Sequence, residues 1–384
     1  MNMDFSSAGR IIFGNEKIKE LPGILKSFGS RVLILRSRSA LGIDEIVDSL
    51  QKKGLSCYEA SISREPDIDI VNQMTKLARK NNCEVIVSIG GGSVIDTGKA
   101  VSALISNTGG IMDYLEVVGK GLPLSNPAVP FVAVPTTSGT GSEVTKNAVV
   151  SVPEKSVKVS MRSNDMLPDV ALIDPVLTYS VPPEITAMTG MDAFTQVIEP
   201  YVSNQANDFV DILCRDAIPR AAKYLPIAFH EGENTEAREN MAWVSLMGGL
   251  ALANAKLGAV HGFAGPLGGM YHQAHGKICA SLLPAVMKKN IELLWDKDEG
   301  EAHIKRYKDV AVWITGNPQA VPEDIVACLD GLKRELKIPS LSDIGVRKGD
   351  YPKIVEKAQN SSSMKGNPIR LSSEDMIDIL NLAF

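Results

Sequence analysis

Two textures divide the chain. Up to about residue 182, short β-branched and aliphatic runs alternate with amphipathic stretches: RVLILR (31–36), CYEAS (57–61), EVIVSIG (84–90), PFVAVP (130–135) and VALID (170–174) read as strands. Residues 40–53 and 68–82 carry apolar side chains at helical spacing, with Val71, Met74, Leu77 and Ala78 on one face. Such alternation predicts parallel strands joined by crossover helices, a Rossmann-like α/β domain over 1–182. After Pro182 and Pro183 the strand signals nearly vanish, and long helical patterns follow, broken at Gly232, at 316–318 and at Gly349. An all-α domain over 183–384 is the expectation. The stretch from Trp243 to Gly265 approaches the apolarity of a membrane span, but Lys256, His261 and five glycines interrupt it. It predicts a buried core helix or helix pair.

Composition narrows the function classes. The 384 residues suit two domains, and 44% hydrophobic with 22% charged residues suits packed cores. Forty Lys and Arg against 45 Asp and Glu give a net charge of -5 without a basic stripe, which argues against a nucleic-acid partner. Five cysteines, Cys57, Cys83, Cys214, Cys279 and Cys328, are scattered and never form a CxxC pair. They read as reduced thiols of a cytoplasmic protein, with neither a disulfide framework nor a thiolate zinc site. The opening MNMDFSSAGRIIFG has no basic segment followed by an apolar one, so no secretory leader is expected.

The sharpest local signal is VSIGGGSVIDTGKA, a strand ending at Ile89, then Gly90-Gly91-Gly92-Ser93, then a helix. Glycines let the backbone approach an anion, and the amides opening the next helix point partial positive charge at it. A phosphate suits that turn. The dinucleotide fingerprint GxGxxG is absent, since Ile95 stands where its third glycine falls, and a P-loop is excluded because Ala100 follows Lys99. A purely structural tight turn stays open. A second loop, VPTTSGTGSEVT (134–145), clusters Thr136, Thr137, Ser138, Thr140 and Ser142 after another strand. Hydroxyls and amides there suit ribose or phosphate oxygens, and a helix-capping loop is the alternative. Ligands of open parallel sheets bind beyond the carboxyl ends of strands, which favours reading the two loops together.

In the second half, Asp192 and Gln196 stand four apart on an expected helix, so their side chains share a face. His261 and His275 lie in a separate segment, where a glycine-rich bend at 265–269 would turn one imidazole toward the other. One carboxylate with two imidazoles is a ligand set for iron or zinc. Either histidine also reads as a hydrogen-bonded core residue.

GGGSVIDTGKA, PTTSGTGSEVT, LPDVALIDPVLT, GMDAFTQVIEPYVS and the His261/His275 segment together resemble the iron-containing (group III) alcohol dehydrogenase family, in its order and spacing, from about Ile11 to Pro368. The resemblance implies a dinucleotide-binding α/β domain and a helical metal-binding domain, the dehydroquinate synthase-like architecture. It implies that Gly91, Gly92 and Ser93 hold the pyrophosphate, that Asp96, Thr136, Thr137 and Thr140 line the cofactor, and that Lys158 approaches the nicotinamide ribose. It implies Asp192, position 196, His261 and His275 as metal ligands. The chemistry implied is hydride transfer between NAD(P) and a small alcohol or aldehyde, in a homodimer or larger homo-oligomer.

Two positions depart from the family pattern: Gln196 and Gly265 stand where histidines are usual. A glutamine offers only a neutral amide oxygen, so the expected metal is Fe2+, Zn2+ or none, and a metal-independent reductase remains an alternative. Loss of the second histidine passes proton exchange to solvent, a hydroxyl or His272. A dehydroquinate-synthase-like lyase and a non-catalytic cofactor-binding protein are the other readings. At the end of the second strand, Ser37 sits between Arg36 and Arg38 where an aspartate would select NAD; a neutral residue flanked by guanidinium groups favours NADP over NAD. Asn147, Phe263, Lys146 and Lys277 adjoin the motifs, and either lysine would suit a short aldehyde bearing an anionic group.

Overall fold

The computed structural model describes residues 4–38, 42–155, 157–297 and 300–384. It divides into two compact units, Met1–Val181 and Pro182–Phe384.

In the first unit six parallel strands form one sheet in the order β1 (Arg10–Phe13), β8 (Val170–Ile173), β5 (Phe131–Pro135), β4 (Val85–Gly90), β2 (Arg31–Ser37) and β3 (Ser56–Ile62). Helices α1 (Leu21–Phe28), α2 (Ile43–Lys52), α3 (Ile68–Lys80) and α4 (Gly92–Ile105) flank it. Helix α2 falls within the predicted 40–53 stretch, of which Ala40 and Leu41 lie outside the described residues. The central strands are apolar throughout because both faces are covered. Leu33, Leu35, Ile86, Phe131 and Ala133 enter the core beneath α3 and α4, while their alternates Val32, Ile34, Val85, Val87, Val132 and Val134 enter the core beneath α1 and α2. A separate antiparallel hairpin, β6 (Asn147–Val152) with β7 (Val157–Arg162), packs Ala148, Val150, Val152, Val159 and Met161 into the α3/α4 core.

This topology creates a crevice. Strands β2 and β4 are neighbours, paired as Arg36 with Ile89. The chain leaves β2 for α2 on one face of the sheet and leaves β4 for α4 on the other. The carboxyl ends of two adjacent strands whose connections diverge are where open α/β sheets bind ligands. The GGGS turn and Ser37 both lie at that switch point.

The second unit contains nine α-helices among the described residues: α5 (Pro183–Val202), α6 (Asp208–His230), α7 (Thr235–Asn254), α8 (Ala259–Tyr271), α9 (His275–Trp295), α10 (Glu301–Thr315), α11 (Asp324–Glu335), α12 (Tyr351–Gln359) and α13 (Ser373–Leu382). The stops follow the sequence: Asn207 and Asn234 cap α6 and α7 by accepting from the backbone three residues on, and left-handed Gly316 ends α10. Helix α5 opens on Pro183 and packs against α6, α7 and α9, so it is buried on nearly every side. A polar side chain on such a helix needs a partner. No single helix among the described residues is long and apolar enough to cross a membrane; α7 and α8 together reach that composition but meet at 96° and are largely buried.

Candidate functional site

The GGGS turn ends β4 and opens α4 with no side chain capping its first amides. Uncapped amides at the positive end of a 14-residue helix are an arrangement that suits an anion. The 136–145 loop closes over it: a Cβ on Gly91 would lie 3.1 Å from Thr137 Oγ1, and one on Gly92 2.8 Å from Thr140 Oγ1. The backbone amide of Thr136 donates to Gly90 O at 3.0 Å, and Ser138 Oγ is buried without a partner. An orphaned hydroxyl beside uncapped amides fits the pyrophosphate and ribose of a dinucleotide.

Lys99, in α4, fixes that loop. Its side chain is fully buried, and Nζ donates to Ser142 O and Thr145 Oγ1, both at 3.0 Å, and pairs with Asp96 at 3.1 Å. Asp96 also accepts from Ser142 Oγ and, at 3.0 Å, from Val149 N, so it ties helix, loop and hairpin together. Burial lowers the Lys99 ammonium, against the pull of Asp96 and Glu143.

Glu143, 2% exposed, is pushed up to about 7 by burial, with Lys99 acting the other way. Its folded value lies above the ordinary 4.5, so the folded state holds the proton more tightly. That contribution is complete below about pH 4.5 and is lost as pH rises through about 7, a difference of up to about 3 kcal/mol. Glu143→Gln is therefore expected to flatten the thermal stability profile between about pH 5 and 8. Calorimetry showing the same slope in both proteins would refute this.

In the second unit Asp192 Oδ1, Gln196 Oε1 and His261 Nε2 are among the buried polar atoms that have no hydrogen-bond partner. Asp192 Oδ1 lies 3.5 Å from His261 Nε2 and 3.7 Å from His275 Nε2, and the two imidazole centroids are 5.3 Å apart. Cys279 adds its sulfur, 3.7 Å from His275 Nε2, so that one atom each of Asp192, His261, His275 and Cys279 lies within 4.8 Å of the others. Orphaned buried donors and acceptors are costly and rare. An unpaired carboxylate oxygen and an unpaired imidazole nitrogen, with a second imidazole at the same point, fit a divalent transition metal. Burial raises the Asp192 carboxyl, but His275 and His261 overcome it and hold Asp192 below the usual carboxylate range. Burial works against imidazolium at His261 and His275; Cys279 and Asp192 outweigh it and raise both.

The arrangement of His261 is built from three elements. Glu199, one turn beyond Gln196 on α5, accepts from His261 Nδ1 at 2.7 Å through Oε2 and from Val260 N at 2.7 Å through Oε1. Asn367 Oδ1 accepts from Ala259 N at 3.2 Å and from Asn290 at 3.1 Å. Glu199 and Asn367 thus cap α8, a favourable place for a carboxylate, while the Nδ1 bond leaves Nε2 facing Asp192. Gly258 permits this approach, since a Cβ there would lie 2.8 Å from Glu199 Oε1.

The reversal that brings His275 back differs from expectation. Residues 265–269 continue α8, and the chain turns instead at His272, whose φ of 52° is left-handed, before α9 opens at His275. The 265–269 glycines serve helix packing: Gly268 and Gly269 are buried.

Comparison with known proteins decides the family. Residues 8–175 match "Iron-containing alcohol dehydrogenase" and residues 186–384 match "Fe-containing alcohol dehydrogenase family, C-terminal". The chain belongs to the iron-containing alcohol dehydrogenase family. It is 34% identical to the 1,3-propanediol dehydrogenase of Klebsiella pneumoniae over 94% of this chain and 96% of that one, and 33% identical to the NAD-dependent methanol dehydrogenase of Bacillus methanolicus over 94% and 96%. The crystal structure of a 1,3-propanediol oxidoreductase superposes with a TM-score of 0.92 at 31% identity, covering all of both chains. This alcohol dehydrogenase is accordingly an oxidoreductase of CH–OH groups, working on a small alcohol or aldehyde with a nicotinamide dinucleotide.

The remaining residues singled out in the dehydrogenase fall as follows. Ser93 is half-buried and its carbonyl accepts from Thr97 Oγ1. Ser37 ends β2, but Arg36 is engaged by Asp44 at 3.3 Å and Glu59 at 3.1 Å. Lys158 lies on β7 with its ammonium 2.5 Å from Glu65. His272 is exposed at the turn and is not among the converging atoms. Lys146 donates to Asn164, Lys277 sits 3.7 Å from Glu184, Asn147 O accepts from Lys99, and Phe263 is buried. Around Gly265 a Cβ would meet nothing within 4 Å, so the place of the usual histidine is open space.

Sequence reasoning missed Lys99, Glu199 and Cys279. Glu199 was within reach, because 192, 196 and 199 follow helical spacing on one face. Cys279 stands four residues after His275, a pairing that a search for CxxC passes over.

Proposed function

We propose that Gly91, Gly92 and Ser93 bind the dinucleotide pyrophosphate, that Thr136, Thr137 and Thr140 line the cofactor while Asp96 and Lys99 position that loop, and that Asp192, His261 and His275 hold a divalent metal, Fe2+ first. The single observation behind the metal assignment is the convergence of orphaned, buried Asp192 Oδ1 and His261 Nε2. A cation there supplies Lewis acidity to the oxygen of the alcohol or aldehyde. The chain's own contribution is orientation: Glu199 fixes the His261 tautomer, and burial of α5 excludes water around Asp192. With no side chain at Gly265, proton exchange falls to solvent, a hydroxyl or His272, which is exposed at the turn before His275.

NAD(H) is the cofactor favoured here, because Arg36 is engaged by two carboxylates, Asp44 and Glu59, which oppose a 2′-phosphate at that place. Five free cysteines suit a reducing compartment such as the cytoplasm. Assembly into a homodimer or larger homo-oligomer rests on the family resemblance and is read by light scattering.

The test is oxidation of NADH and NADPH by short aldehydes, neutral and anionic, with protein purified without oxygen and reloaded with Fe2+ or Zn2+. Metal-dependent turnover with a lower KM for NADH is expected. No turnover with any aldehyde, loaded or not, overturns the reading, and a lower KM for NADPH reverses the cofactor choice.

A further inference from the structure

We propose that Cys279 is a ligand of the metal centre, its sulfur completing an Asp192–His261–His275–Cys279 set and moving the site's preference from iron toward the softer, zinc-like ions. The inference rests on the metal reading above and adds to it the identity of a donor that neither the spacing of the cysteines nor the resemblance supplies.

The placement is rigid. Cys279 and His275 stand one turn apart on α9, so both side chains project from the same face and lean back toward the helix start. That face lies hard against α5: a Cβ on Gly276 would come within 2.5 Å of Met188 O and 3.4 Å of Asp192 Cβ. Cys279 is buried, and its sulfur lies 3.7 Å from His275 Nε2, itself a donor to the centre. Independent of the sulfur, Asp192 Oδ1 and His261 Nε2 are buried and unpartnered at the same point. The mutual spacing within 4.8 Å suits ligands radiating from one ion at roughly 2.0–2.3 Å.

Donor chemistry separates Cys279 from Gln196. Gln196 Oε1 is also orphaned, yet a neutral amide oxygen binds late divalent ions weakly, while a thiolate is soft and binds zinc strongly. Binding releases the thiol proton to solvent as the S–metal bond forms, with no change of oxidation state.

Metal-depleted protein titrated with Co2+ reads this out without activity. A thiolate-to-cobalt charge-transfer band in the near ultraviolet is expected, together with a sulfur neighbour at about 2.3 Å in X-ray absorption of the zinc-loaded protein. Cys279→Ser should abolish both and lower the ratio of zinc to iron affinity by about tenfold or more, whereas Cys214→Ser should leave both. Stoichiometric cobalt without the band in the unaltered protein overturns the Cys279 assignment and leaves the metal reading standing. Persistence of the band in Cys279→Ser overturns it equally. No bound cobalt, zinc or iron at all overturns both. Because the spectra of the unaltered protein decide the question, a poorly folding variant does not block it, and Cys279→Ala serves as the second substitution.

Discussion

Asp192→Ala is expected to strip the metal from the enzyme and lower kcat/KM by at least about a thousandfold, the several kcal/mol that a Lewis-acid centre supplies to a polarised oxygen. The carboxylate is the only anionic oxygen donor among the four converging residues, and both imidazoles lie within 3.7 Å of its Oδ1. Without it, His261 and His275 face one another with the same sign when protonated, and α5 offers them only the Gln196 amide and Glu199, whose carboxylate is already held by His261 Nδ1 and the start of α8. Elemental analysis should fall from about one metal per chain toward zero. NADH titration should be unchanged, since the glycine turn belongs to the other compact unit. Asp192→Ala retaining most of the rate, with metal-depleted unaltered protein doing the same, would show hydride transfer that needs no metal.

What the sequence shows follows from which physical constraint dominates each segment. Strands β2, β4, β5 and β8 are legible because two covered faces demand unbroken apolar runs. Strand β1, four residues at the sheet edge between Gly9 and Gly14, is too short to rise above its surroundings. The β6–β7 hairpin does alternate, with Ala148, Val150 and Val152 inward, but Pro153 and two charges at its turn disguise the pairing. The bend expected at 265–269 shows the reverse error: packing kept its three glycines and a proline helical, and a histidine took the left-handed residue instead. At the site, Asp192, His261 and His275 were readable from residue type. The positions of Glu199 and Cys279 depend on how α5, α8 and α9 pack, a tertiary fact that spacing within one segment does not carry.

Gly92→Val is expected to raise the dissociation constant for NADH by about a hundredfold, equivalent to losing one or two charge-assisted hydrogen bonds worth about 3 kcal/mol in all. A Cβ at residue 92 would already stand 2.8 Å from both Thr140 Oγ1 and Cγ2, and Thr140 is β-branched, so it has little rotamer freedom with which to yield. The added methyls must then displace either the 136–145 loop or the start of α4. The loop is anchored through Ser142 and Thr145 to the buried Lys99. Pressure therefore falls on the uncapped amides, which are the very groups that would hold the phosphates. Metal content and the spectrum of the cobalt-loaded protein should stay as they are, because those residues lie in Pro182–Phe384. Fluorescence titration with unaltered NADH affinity in a folded Gly92→Val protein would move the pyrophosphate away from this turn, and with it the whole orientation of the cofactor.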